Sequence, residues 1–321
     1  MDADSLASSV RNARLVSYFN VASACIMVYD ILITLGEEYR SIWTGRMGIM
    51  KILYLFARYS TVFEVGVVLW EQAVPGDWYR GCKISFDINV WLFVIGLGFG
   101  EMIMSMRTWA VWKRSKKLGI FLLIFWPVCW IAGFVIAGLF AKTVKFDPSP
   151  MSQFKGCFVT EASPILFIAF VILLLYDTVN LVLISIPAYN TYRRGGTSQL
   201  VRSVYTDGIV YYVYLFALSA LNIIVIVKMP TDLVTLLSMM ERVLHAVLTC
   251  RVVLHMHNVA RQGHLFNSEE GAPSYQLRNV SGGKNLPAVP SKSTYESTLD
   301  SSRDLPKPQT HSGGMEIIVL K

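Results

Sequence analysis

LGIFLLIFWPVCWIAGFVIAGLFA, residues 118–141, runs for 24 positions without a charged side chain. A helix rises about 1.5 Å per residue, so such a run is about 36 Å long, enough to cross a hydrocarbon layer about 30 Å thick. Six further apolar runs accompany it, at residues 16–35, 47–70, 86–112, 165–189, 209–227 and 233–256. The composition agrees, with 54% hydrophobic and only 16% charged residues, where a soluble domain carries about 25% charged. Helices satisfy their own backbone in lipid, so the chain reads as an all-α integral membrane bundle of seven transmembrane helices. Its parts are a short extracytoplasmic segment, residues 1–15, the bundle, residues 16–256, and a largely disordered cytoplasmic tail, residues 257–321. The first run is too long for the core of a removable signal and reads as a span that also directs insertion.

The net charge of +7 is unevenly placed. Lys113, Arg114, Lys116 and Lys117 stand between the third and fourth runs, and Arg193, Arg194 and Arg202 follow the fifth. Both loops share one side, which the excess of positive charge marks as cytoplasmic. The N-terminus is then outside, although Arg11, Arg14, Lys142, Lys145 and Lys155 pull the other way. Anionic lipid heads answer this charge, and nucleic acid is not an expected partner. Cys82 and Cys157 fall on the far face, where a disulfide would require an oxidising compartment. The alternative is two independent thiols. The same topology favours the plasma membrane over internal membranes.

The loops are short. Glu37, Glu38, Arg40 and Arg46 surround Trp43 in a segment suited to lipid headgroups, and only five residues join the sixth and seventh runs. After His257 the chain is rich in Ser, Pro, Gly, Asn and Lys and buries too little to fold alone. Val259, Leu265 and Phe266 suit a short helix on the membrane surface. Asn279 heads a glycosylation sequon on the inner side, where no glycan is expected, and residues 315–320 are strand-prone.

Charged groups inside lipid cost roughly 2.5–3.5 kcal/mol each and face the bundle interior. Counted from the inner ends, Arg58, Glu101 and Asp177 lie roughly 16–18 Å deep, with Asp30 nearer the inner surface. This predicts a buried ionic cluster of Asp30, Arg58, Glu101 and Asp177. Toward the outside, Glu241 and His245 share a helical face. Glu64 lies at their depth, and Arg242 offers it a counter-ion. Together with Trp91, Asn222, Tyr211, Tyr212 and Tyr214 these predict an outward-opening pocket. Both groups also suit static fastenings that select one helix arrangement. Arg107 and Arg251, near the inner ends of the third and seventh runs, either reach lipid phosphates or lock neighbouring helices.

Several chemistries lack their residues. The seventh run has no lysine for a retinal Schiff base, and only His245 lies within the membrane, too few histidines for a zinc centre. No nucleophile elbow, phosphate loop or dinucleotide fingerprint is present. No enzyme activity, metal or cofactor is expected. Gly96, Gly98, Gly100, Pro127 and Pro187 are too scattered to mark the paired broken helices of a transporter.

The series Val28-Tyr29-Asp30-Ile31-Leu32-Ile33-Thr34-Leu35, then Glu38, Trp43, Lys51, Leu53 and Arg58-Tyr59, resembles the fungal membrane proteins grouped as domain of unknown function 6533. The resemblance covers roughly residues 18–65, with weaker likeness at Arg107-Thr108-Trp109-Ala110 and at residues 248–254. It implies a seven-helix membrane architecture and carries over Asp30, Glu38 and Arg58, without naming a chemistry. Two functions remain open. One is a receptor-like sensor with a small-molecule ligand outside and a cytoplasmic signalling protein inside. It lacks the Asn-Pro and acidic-Arg-aromatic motifs of G-protein-coupled receptors. The other is a proton-linked transporter or channel using Asp30, Glu101, Asp177, Glu241 and His245.

Overall fold

The computed structural model describes residues 3–44, 47–74, 79–146, 157, 159–161, 163–193, 199–230 and 233–270. The expectations for the tail, the sequon and residues 315–320 lie outside them. Two units divide the chain, Met1–Val259 and Ala260–Val319, and of the second only the end of a helix, to Glu270, is described. The first unit holds α1 (Ala3–Glu38), α2 (Ile49–Ala73), α3 (Tyr79–Val111), α4 (Lys116–Thr143), α5 (Leu166–Arg193), α6 (Gln199–Lys228) and α7, which begins at Ser238. Between α4 and α5, strands β1 (Lys145–Phe146) and β2 (Val159–Glu161) pair antiparallel, with Lys145 opposite Glu161.

Among the described residues six helices are long and apolar enough to span a membrane: Ala7–Trp43, Ile49–Ala73, Gly81–Val111, Lys116–Thr143, Leu166–Asn190 and Ile209–Lys228. The apolar sheath they present is what lipid solvates. Leu123 is 76% exposed, Leu32 68% and Ile131 64%. The interior inverts this pattern, for the two largest fully buried side chains are Arg58 and Arg242. α7 is not among the six, because Glu241, Arg242, His245 and Arg251 lower its hydropathy. It is instead the most enclosed helix, with Met239, Glu241, Arg242, Val243, His245, Ala246, Val247, Thr249 and Cys250 all buried. Its side chains bond to α1, α2, α3 and α6.

The helix ends follow local chemistry. Beyond Glu38 the chain continues through a π-helical turn, Tyr39–Trp43, which brings Trp43 Nε1 to donate to Glu38 Oε1 at 3.3 Å. The turn before α4 places Lys113 at φ 51° and Arg114 at φ 54°, and Ser115 Oγ then caps α4 by accepting from the Leu118 amide at 3.3 Å. α3 and α4 meet through indoles: Trp126 and Trp130 stack 5.6 Å apart and donate to the Gly98 and Val94 carbonyls. At the end where α3 begins, Cys82 and Cys157 form a disulfide with Cα atoms 5.6 Å apart.

Candidate functional site

Asp30, Thr34 and Glu38 stand at successive turns of α1, so their side chains share one face. Arg58 of α2 lies along that face. Its Nη1 is 3.2 Å from Asp30 Oδ2, its Nη2 donates to Thr34 Oγ1 at 2.6 Å, and its Nε lies 3.1 Å from Glu38 Oε2. The planar fork of guanidinium suits this three-point grip. Arg251 of α7 closes the group from the other side, 2.7 Å from Asp30 Oδ1. Tyr59 donates to Glu38 at 2.9 Å. Two carboxylates thus face two guanidiniums, and charge balances within the cluster.

Glu101 and Asp177 belong elsewhere, which corrects the expected four-residue cluster. Equal depth does not make neighbours of residues on helices that turn different faces inward. Glu101 Oε1 is 2.6 Å from His245 Nε2, and the Asp177 carboxyl lies near both. Ser219 of α6 bridges Asp177 and Glu241, each at 3.0 Å, and Asn222 also donates to Glu241. All six residues are buried. Flanking this network on α3 and α5, Ser105 meets Tyr176 at 2.5 Å.

A third group pairs Arg242 Nε with Glu64 Oε2 at 3.0 Å and Arg242 Nη2 with Ser60 Oγ at 2.9 Å. Glycines on α3 make room for α7. A Cβ on Gly96 would stand 1.8 Å from Arg242 Nη2, and one on Gly100 would stand 2.5 Å from His245 Cε1. These two glycines, one turn apart, are notches into which the polar side chains of α7 settle.

A cavity of about 270 Å³ occupies the half of the bundle nearer the disulfide. It is bounded by the start of α1, the end of α2, the start of α3, the end of α4, and the starts of α5 and α7. Of the residues expected around an outward pocket, only Glu64 lines it. Asn222, Glu241 and His245 are sealed into the central network, and Arg242 is held by Glu64 and Ser60. Trp91 lies on the lipid side, 41% exposed, stacked on Phe134 at 6.1 Å. Tyr214 also faces outward, whereas Tyr212 is buried and bonded to Thr108 and the Met104 carbonyl. Tyr211 packs beside that buried group. Arg107 is buried on α3.

The polar lining of the cavity includes a set that depth arithmetic passes over: Glu71, Gln72, Asn89 and Ser238. Asn89 Nδ2 donates to Glu71 Oε1 at 2.9 Å. Asn89 Oδ1, Gln72 Nε2 and Ser238 Oγ are buried atoms with no hydrogen-bond partner. Asn89 stands inside an apolar run, and that was the available signal.

Residues 18–63 match the model of a family of unknown function, DUF6533. The matched stretch carries Asp30, Thr34, Glu38, Trp43, Arg58 and Tyr59, so it holds all of the cluster at the end of α1 except Arg251. No curated protein matches the chain.

Proposed function

We propose that this chain is a receptor-like sensor. A small molecule occupies the cavity near the disulfide, and the helices transmit its presence to a cytoplasmic signalling protein. The carrying observation is that the cavity reaches Glu64, whose carboxylate holds Arg242, the residue next to Glu241 and three before His245 in the central network. An occupant that shifts Glu64 acts on the most enclosed helix of the bundle through one ion pair. In this reading α7 is the seventh span. Its charged groups find partners inside, so their cost is not borne by lipid. The N-terminus and the Cys82–Cys157 bridge face outward, the C-terminal end is cytoplasmic, and the plasma membrane is the site of action. The basic turn at Lys113 and Arg114 belongs to the readout face. The resemblance at residues 18–65 favours fungal relatives. No catalytic step or cofactor is part of the proposal.

A second reading, proton-linked transport, is favoured by the gathering of three buried carboxyls, Glu101, Asp177 and Glu241, around His245 and Ser219. One experiment separates the two. The purified chain is reconstituted in vesicles under a pH gradient, and the same chain, with and without residues 271–321, is used to capture inner-face partners from native membranes. The sensor reading expects no protein-dependent proton flux and recovery of a signalling component. Flux that disappears in Glu101→Gln or Asp177→Asn, with nothing captured, would replace it with transport.

A further inference from the structure

We propose that the cavity takes an apolar amine, its hydrocarbon or aromatic body between α3, α4 and α5 and its ammonium on Glu71. This rests on the sensor reading only in treating the cavity as the ligand site.

The body of the cavity is apolar. Phe86, Phe93, Trp130, Phe140 and Phe170 line it, an enclosure that favours a ring or a branched chain over a flexible polar molecule. Polar residues of α1 also line it, and its unpartnered polar atoms gather at the end of α2 and the starts of α3 and α7. There, Asn89 turns its amide nitrogen to Glu71, so its oxygen is left as an acceptor aimed at no protein donor. Gln72 Nε2 and Ser238 Oγ are likewise buried and without partners. Burying a polar atom unpaired is costly, so three of them lining one apolar space are satisfied by what fills it.

Charge chooses among polar heads. Among the described residues the lining contains two carboxylates, Glu64 and Glu71, and no Lys, Arg or His. Glu64 is balanced by Arg242. Glu71 is hydrogen-bonded by neutral partners, Asn89 and Ser85, and among the described residues it has no ion pair. An ammonium supplies the missing counter-charge and donates to both Glu71 and Asn89 Oδ1. An alcohol would satisfy the acceptors without the charge, and a carboxylate would meet Glu71 as a like charge. Hydrogen bonds to charged groups contribute about 1.5–3 kcal/mol, which sets the preference for amine over alcohol at about 10- to 100-fold.

The test uses three matched probes, 4-phenylbutylamine, 4-phenylbutanol and 4-phenylbutyrate, with the full chain in phosphatidylcholine nanodiscs. Binding is measured by calorimetry against empty discs. The expected order is amine, alcohol, carboxylate, with Glu71→Gln reducing amine affinity to that of the alcohol and Glu71→Asp keeping the preference. Gly133→Leu places a side chain in the cavity where a Cβ has open space, and it should abolish binding of all three. Equal binding of the three probes, or an amine preference that survives Glu71→Gln, overturns the proposal. So does binding that Gly133→Leu leaves unchanged. The sensor reading fails separately: amine binding as described, with capture of inner-face partners unaltered by the amine, would remove signalling and keep the ligand class.

Discussion

Replacing Arg242 with methionine leaves Glu64 as a carboxylate in the middle of the bundle with nothing to balance it. The two side chains are 0% and 3% exposed and their charged atoms are 3.0 Å apart. At an effective dielectric near 20, unit charges at that distance attract by about 5.5 kcal/mol, against which stands the desolvation of both ions. Removing one partner of such a pair costs about 3–5 kcal/mol, whereas replacing both with apolar side chains of similar volume is near neutral or stabilising. The expectation is that Arg242→Met and Glu64→Leu each lower stability by about 3–5 kcal/mol, and that the double variant recovers most of the loss. The coupling would then approach the sum of the two single effects. The measurement is unfolding in mixed micelles with increasing dodecyl sulfate, followed by tryptophan fluorescence, for the four members of the cycle. If the double variant loses the sum of the two singles, the residues act independently and the pair is not what seats α7.

Gly100→Ala and Gly96→Ala should each destabilise by about 1–3 kcal/mol through overpacking against His245 and Arg242, read in the same titration. Gly66→Ala, where a Cβ meets nothing within 4 Å, should stabilise its helix by about 0.5–1 kcal/mol. Arg114→Gly relieves a left-handed backbone at φ 54° and should leave stability unchanged or raised by up to about 1 kcal/mol, a gain that Arg114→Ala would not show. Peptide mapping without reductant should recover Cys82 and Cys157 as one linked species. Cys25, exposed on the lipid-facing side of α1, should alkylate in the intact chain with a membrane-permeant maleimide, and buried Cys129 and Cys250 only after denaturation.

The membrane architecture was readable because composition decides solvent: an uncharged run of 24 residues at 118–141 has few other fates. The faces of the helices were harder. Depth along a helix follows from counting, but its rotation and its neighbours do not, which is why Glu101 and Asp177 align with Arg58 on paper and bond to His245 and Ser219 instead. The boundaries drawn from hydropathy cut two residues from their helices. Glu38, which the resemblance carries over, follows a run that ends at 35, although α1 extends to it. Glu71 falls one position beyond a run that ends at 70 and reads as loop, although α2 extends to Ala73. Gly96 and Gly100 became interpretable only once the side chains opposite them were known.

The two notches on α3 govern how its neighbour travels. α3 and α7 run in the same direction, and Arg242 fills the recess at Gly96 as His245 fills the one at Gly100. Sliding by a fraction of a turn would press both side chains against the ridges between the recesses. Sliding by a whole turn, about 5.4 Å, would carry Arg242 into the seat His245 vacates. The contact therefore behaves as a detent, stable at discrete positions and resistant between them, so longitudinal displacement of α7 proceeds in steps rather than by drift.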